Sequence, residues 1–102
     1  MSNGKSRRKG KEGELDVVHK LRERFPDAQR VGLAFITSLV DVEWGEGQNK
    51  AQVKNKTLGG SAIANILEEI RKIAPESKGW VIYKAKRGQW IIAQSLEQYL
   101  RR

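Results

Sequence analysis

The chain has 102 residues, a length that normally folds around one core, and a net charge of +8 that points to a polyanionic partner. With no cysteine and one histidine, His19, disulfides, thiolate sites and multi-histidine zinc sites are excluded, so any catalytic metal must be held by oxygen, as magnesium or manganese are. No apolar run is long enough to span a bilayer and the N-terminus lacks a signal-peptide core, so a soluble, cytoplasmic protein with no small-molecule cofactor is expected.

In chain order, residues 1–9 form a basic segment with Lys5, Arg7, Arg8 and Lys9, followed by Gly10 and Lys11. They are expected to be a flexible arm, either solvated or in contact with nucleic acid, ahead of a single domain over 10–102. A first helix is predicted from near Lys11 to Arg24, stopping before Pro26, with Leu15, Val18, Leu21, Arg22 and Phe25 inward. Glu14 shares that stripe, and an acid facing a core needs a partner, a cation or a metal. Arg30–Ile36 and Ser38–Trp44 are predicted strands, 45–49 a turn and Lys50–Asn55 a third strand. Ser61 is the expected N-cap of a second helix carrying Ile63, Ile66, Leu67, Ile70 and Ile73. A hairpin about Arg87-Gly88 follows. A last helix with Leu96, Tyr99 and Leu100 opens on a Ser95/Gln98 capping box. The order is α-β-β-β-α-β-β-α: an α/β fold with a central mixed sheet flanked by helices.

Strand alternation places Asp41 and Glu43 on one face of the second strand, and Gln52 and Lys54 on one face of the third. Phosphodiester hydrolysis needs a metal cage, an activated water and positive charge near the phosphate. An acid, an amide and a lysine on neighbouring strands, with Glu14 from a packed helix, meet that need. The ordinary alternative is cross-strand charge pairing on a wet sheet face. Against it stands the joint occurrence of Asp and Lys in mid-strand, where both are disfavoured, with an acid on an apolar stripe. Trp44, Trp80 and Trp90 fit core positions better than base stacking, and Thr37 and Ser38 are equally well explained by loop chemistry.

Lys9-Gly10-Lys11-Glu12-Gly13-Glu14, Asp41 and Gln52-Val53-Lys54 together resemble small Holliday-junction resolvases of the archaeal and phage type, in the PD-(D/E)XK nuclease superfamily. The likeness covers nearly the whole chain, including the tail from Val81-Ile82-Tyr83-Lys84 to Leu100. It departs at Val40, where the name-giving proline would be, and at Gln52, where an acid is usual.

The resemblance implies a restriction-endonuclease-like core and a metal-dependent endonuclease that resolves four-way DNA junctions by paired nicks as a homodimer. It implies catalytic roles for Glu14, Asp41, Gln52 and Lys54. Magnesium or manganese would be held by Asp41, Gln52, the Val53 carbonyl and Glu14, with Glu43 a further candidate. Phosphate contacts would come from Lys5, Arg7, Arg8, Lys9, Lys11, Arg30 and Lys56, in a prokaryotic or phage-infected cell. Open alternatives are a nuclease of the same superfamily acting on flaps, nicks or duplex DNA, a basic nucleic-acid-binding module that does not cut, and a structural protein of a ribonucleoprotein.

Overall fold

The computed structural model describes the backbone at residues 2–31 and 39–101, with side chains from Gly10 onward within those ranges. Helix α1 spans Ser2–Leu21, so it begins well before Lys11 and stops short of Arg24. Lysine and arginine are good helix formers, and extending an existing helix is far easier than nucleating one. The side chains of Lys5, Arg7, Arg8 and Lys9 lie outside the described ones. At the other end, Arg22 donates from Nε to the Ala28 carbonyl at 2.8 Å, tying the helix exit to the approach to the sheet.

Among the described residues the strands are β1 (Gln29–Arg30), β2 (Val42–Trp44), β3 (Asn49–Lys54), β4 (Lys78–Lys84) and β5 (Trp90–Ala93), and they lie side by side in chain order. All neighbours are antiparallel except β3 and β4. A parallel pair needs a long crossover, and α2 (Gly60–Ile73) supplies it. Helix α3 (Leu96–Leu100) closes the chain, so the observed order is α-β-β-β-α-β-β-α with a mixed sheet between helices. The strand expected from Arg30 to Ile36 appears as β1 at its start, and most of its length, with Thr37 and Ser38, lies outside the described residues. Among the described residues no helix is long and apolar enough to cross a membrane.

One face of the sheet carries the main core. Val17 and Val18 of α1 pack with Ala28, Val42, Trp44, Ala51, Val53 and Ile82, and Leu21, Phe25, Trp80 and Trp90 close the cluster. Leu15, expected inward, is instead exposed. Gly13 lies inward in its place: a Cβ there would meet Asn55 at 3.3 Å, so glycine lets α1 settle close against the end of β3. Trp80 Nε1 donates to Asn49 Oδ1 at 2.9 Å and Trp90 Nε1 to Asp16 Oδ2 at 2.6 Å, so both indoles pack apolar area and satisfy their polar edge.

On the other face α2 crosses β4 at Gly79, where a Cβ would stand 2.9 Å from Ile70 Cγ2. Ile70 is fully buried by that approach, and strand alternation places buried Val81 on the same side. The cap of α2 is Gly59 with no side-chain hydrogen bond, and Ser61 falls inside the helix. Ser95 does cap α3, accepting the Gln98 N–H at 3.2 Å. The Gln98 side chain does not return to Ser95 as a capping box requires. It bonds the start of β4 instead, with Oε1 accepting the Gly79 N–H at 2.7 Å.

The β2–β3 turn has three successive residues at positive φ: Gly45, Glu46 and Gly47. Asp27 holds it from outside the hairpin, its carboxylate accepting the Gly45 and Glu46 N–H groups at 3.1 and 2.6 Å. Those two bonds also hold the Asp27 carboxyl below its usual range.

Candidate active site

Asp41 stands one residue before β2, where the regular ladder stops. Its N–H donates to the Ala51 carbonyl at 2.9 Å, and its Oδ2 accepts the Val53 N–H at 2.8 Å. These bonds fall on either side of Gln52, so Asp41 brackets that residue. The carboxylate takes the place that a backbone carbonyl would hold between the two strands. Among the described residues Gln52 is the buried polar side chain, 9% exposed.

Burial pushes the Asp41 carboxyl up from 3.8 to about 6. The Val53 N–H opposes that rise, the Glu14 carboxylate adds to it, and the cations of Lys54 and Arg30 pull the other way. Such mutual influence requires proximity. Glu14 from α1, Arg30 from β1 and Lys54 from the end of β3 therefore lie within electrostatic reach of one half-buried acid. Glu14 is directly paired, its Oε1 accepting from Arg30 Nε at 3.1 Å.

The convergence follows from local structure. Gly13 lets α1 approach the end of β3, which carries Glu14 over the site. The side chains of Ala51 and Val53 enter the core on one side, leaving Gln52 and Lys54 on the alternate positions. The β1–β2 pairing of Arg30 with Val42 sets the guanidinium beside the entry to β2.

Of the predicted residues, Glu14 and Lys54 are thus within electrostatic reach of Asp41, and Gln52 lies between the two residues whose backbone bonds Asp41. Glu43 is engaged elsewhere: Lys50 Nζ lies 3.0 Å from its Oε2, and Gln29 Nε2 donates to its Oε1 at 3.0 Å. Burial alone would raise the Glu43 carboxyl, but these two partners hold it below the usual range. Of Val53 it is the N–H, not the carbonyl, that meets Asp41. Lys11 and Lys56 are exposed. Arg30, expected on phosphate, is here the counter-ion of Glu14. The sequence carries no pairing signal for it, because charge partners across a sheet edge depend on register.

Among the described residues no group of three or more His, Asp or Glu side chains gathers as a metal cage. What the site offers is two carboxylates, a buried amide and backbone carbonyls. That set is all oxygen, and a half-buried acid whose ionisation is opposed by desolvation is relieved by a hard divalent cation. The donor chemistry therefore fits magnesium or manganese. In comparisons with known proteins, the chain matches no family model, no curated protein and no solved structure.

Proposed function

We propose that this chain is a metal-dependent, structure-selective DNA endonuclease with a restriction-endonuclease-like core, resolving four-way junctions by paired nicks as a homodimer. The observation that carries the proposal is the half-buried Asp41 carboxylate, which feels Glu14 and Lys54 from two separate elements and is held by the Val53 N–H beside the buried Gln52. Cross-strand charge pairing on a wet face accounts for it less well, because the acid at its centre is half-buried, far enough for desolvation to raise it to about 6.

In this reading Asp41, Gln52, the Val53 carbonyl and Glu14 would hold the divalent ion. When bound, that ion supplies Lewis-acid polarisation of the scissile phosphate. The Val53 N–H fixes the Asp41 carboxylate in one orientation, so no rotamer freedom has to be lost at the moment of reaction. Lys54 orients the attacking water and faces the charge that grows on the phosphate. Arg30 neutralises Glu14 in the free protein and turns to a phosphate oxygen when DNA arrives. Lys11, Lys56 and the basic residues Lys5, Arg7, Arg8 and Lys9 hold the backbone without reading sequence.

A second reading is a basic module that binds branched nucleic acid without cutting it. The gathering of two acids rather than three, with Gln52 in an acid's place, favours it. Synthetic four-way junction, flap, nicked and duplex DNA, incubated side by side with magnesium and then manganese, separate the readings. The endonuclease cuts the junction in preference, and Asp41→Asn loses cleavage while keeping junction affinity. Equal cutting of all four substrates removes the junction assignment. Absence of metal-dependent cutting removes the enzyme.

A further inference from the structure

Helix α3 is oriented against its own amphipathicity. Gln98 pins it to the sheet through the Gly79 N–H and the Ser77 carbonyl. With that polar side held inward, Leu96, Tyr99 and Leu100 are 70, 68 and 68% exposed. Beside them the apolar stripe of α2 is only partly covered: Ile70 is buried, Ile63, Ile66 and Leu67 are half-buried, and Ile73 is exposed. Between the two helices lies a groove of about 420 Å³, with Ile63, Ala64 and Leu67 in its wall and Glu68, Arg71 and Glu97 among its charged residues.

The charge of this face says what covers it. Helices α2 and α3 carry Glu68, Glu69 and Glu97 against Arg71 and Lys72, in a chain whose overall charge is +8. With Arg101 at the C-cap of α3 this face is near neutral, so the cationic excess lies mostly elsewhere and a nucleic acid gains little from it. The groove instead holds both signs close together. Arg71 is hydrogen-bonded to Glu68 and feels Glu97, both of which favour its charged form. A patch with both signs about an apolar centre is self-complementary under a twofold rotation, which sets the acid of one copy against the cation of the other.

We infer that a second copy of this chain covers the α2–α3 face, with Leu96, Tyr99 and Leu100 of each copy seated against the α2 groove of the other. The inference rests on the dimeric reading above and assigns its interface. That interface leaves the Asp41 corner of both copies open, because Asp41 lies at the β2–β3 junction and α3 is anchored at the start of β4.

Sedimentation velocity of the full chain at tens of micromolar, with and without Leu96→Ser/Leu100→Ser, tests it. The expected result is a species of twice 11.6 kDa for the parent chain and a monomer for the double variant, with unchanged far-UV circular dichroism. Should the double variant fold poorly, Glu97→Arg carries the test: it weakens the dimer, and adding Arg71→Glu restores it. A monomeric parent chain overturns the inference, as does a dimer that survives both Leu96→Ser/Leu100→Ser and Glu97→Arg. Junction cleavage is measured on the same samples. A dimer broken by these variants in a protein that never cuts DNA upholds the interface and removes the nuclease. A monomeric parent chain that cuts DNA does the reverse.

Discussion

The two faces of the sheet are buried to different degrees. Under α1, eight buried residues from the helix, the Ala28 loop and three strands form one continuous cluster. Under α2, Ile70 meets Gly79 and much of the helix's apolar stripe remains wet. The packed face supports the Asp41 corner, the site proposed for chemistry. The loosely covered face spends its apolar side chains outward. On the proposed reading, rigidity and association fall to opposite sides of one small sheet.

The largest effect expected from breaking the comparison is at the packed corner. Asp41→Asn and Lys54→Met should each lower the junction cleavage rate by roughly 10²-fold or more, because each removes a charge that acts on the reacting phosphate. Single-turnover cleavage with saturating enzyme reads this directly. Retained cleavage in both would show that the corner is not where chemistry occurs.

Next come the packing substitutions, which should differ by face. Val42→Ala deletes two methyl groups from a fully buried position and should cost about 1–3 kcal/mol. Gly79→Ala drives a methyl into Ile70, at a cost of about 1–3 kcal/mol unless α2 shifts outward. Leu96→Ser, on the wet face, should change the stability of the monomer by less than about 0.5 kcal/mol. Urea titrations at a concentration below dimer formation measure all three. A Leu96→Ser cost as large as that of Val42→Ala would mean that α3 is part of the core.

Asp41→Asn should also stabilise the protein at neutral pH. The folded-state value near 6 lies above the ordinary 3.8, so the folded protein binds this proton more tightly than the unfolded chain does. Ionised Asp41 therefore opposes folding above pH 6, less so between 6 and 3.8, and not at all below 3.8. An asparagine keeps an oxygen for the Val53 N–H and removes the charge. After discounting for water that still reaches the carboxylate, the gain should be on the order of 1–2 kcal/mol at pH 7.5 and near zero at pH 3.5. Denaturant midpoints at the two pH values check it, and equal midpoints for parent and variant at pH 7.5 would contradict the burial of that charge.

The smallest effect concerns Arg30. Its bond to Glu14 is partly exposed, so Arg30→Gln should change stability by under about 1 kcal/mol. Junction affinity should fall more clearly, and the salt dependence of binding should become shallower by about one unit in log–log slope. Fluorescence anisotropy across a salt series reads both.

Much of this was legible in the chain itself. Helical spacing located α1 and α2, glycine-rich runs located the turns, and alternation separated Gln52 and Lys54 from Ala51 and Val53. Glu14 was marked by its place on an apolar stripe. These features are local, and a periodicity of 3.6 or 2 suffices to express them. The pairing of Glu14 with Arg30, the withdrawal of Glu43 to Gln29 and Lys50, and the Val53 N–H on Asp41 were not legible, because each depends on how separate segments register. The outward turn of α3 is the plainest case. Its sequence reads as an ordinary amphipathic helix, and only Gln98 finding the Gly79 N–H decides which side meets water. Local pattern determined the elements and the candidate residues; the partners each residue keeps were decided by tertiary structure, since a buried polar group bonds whatever the fold brings within 3 Å.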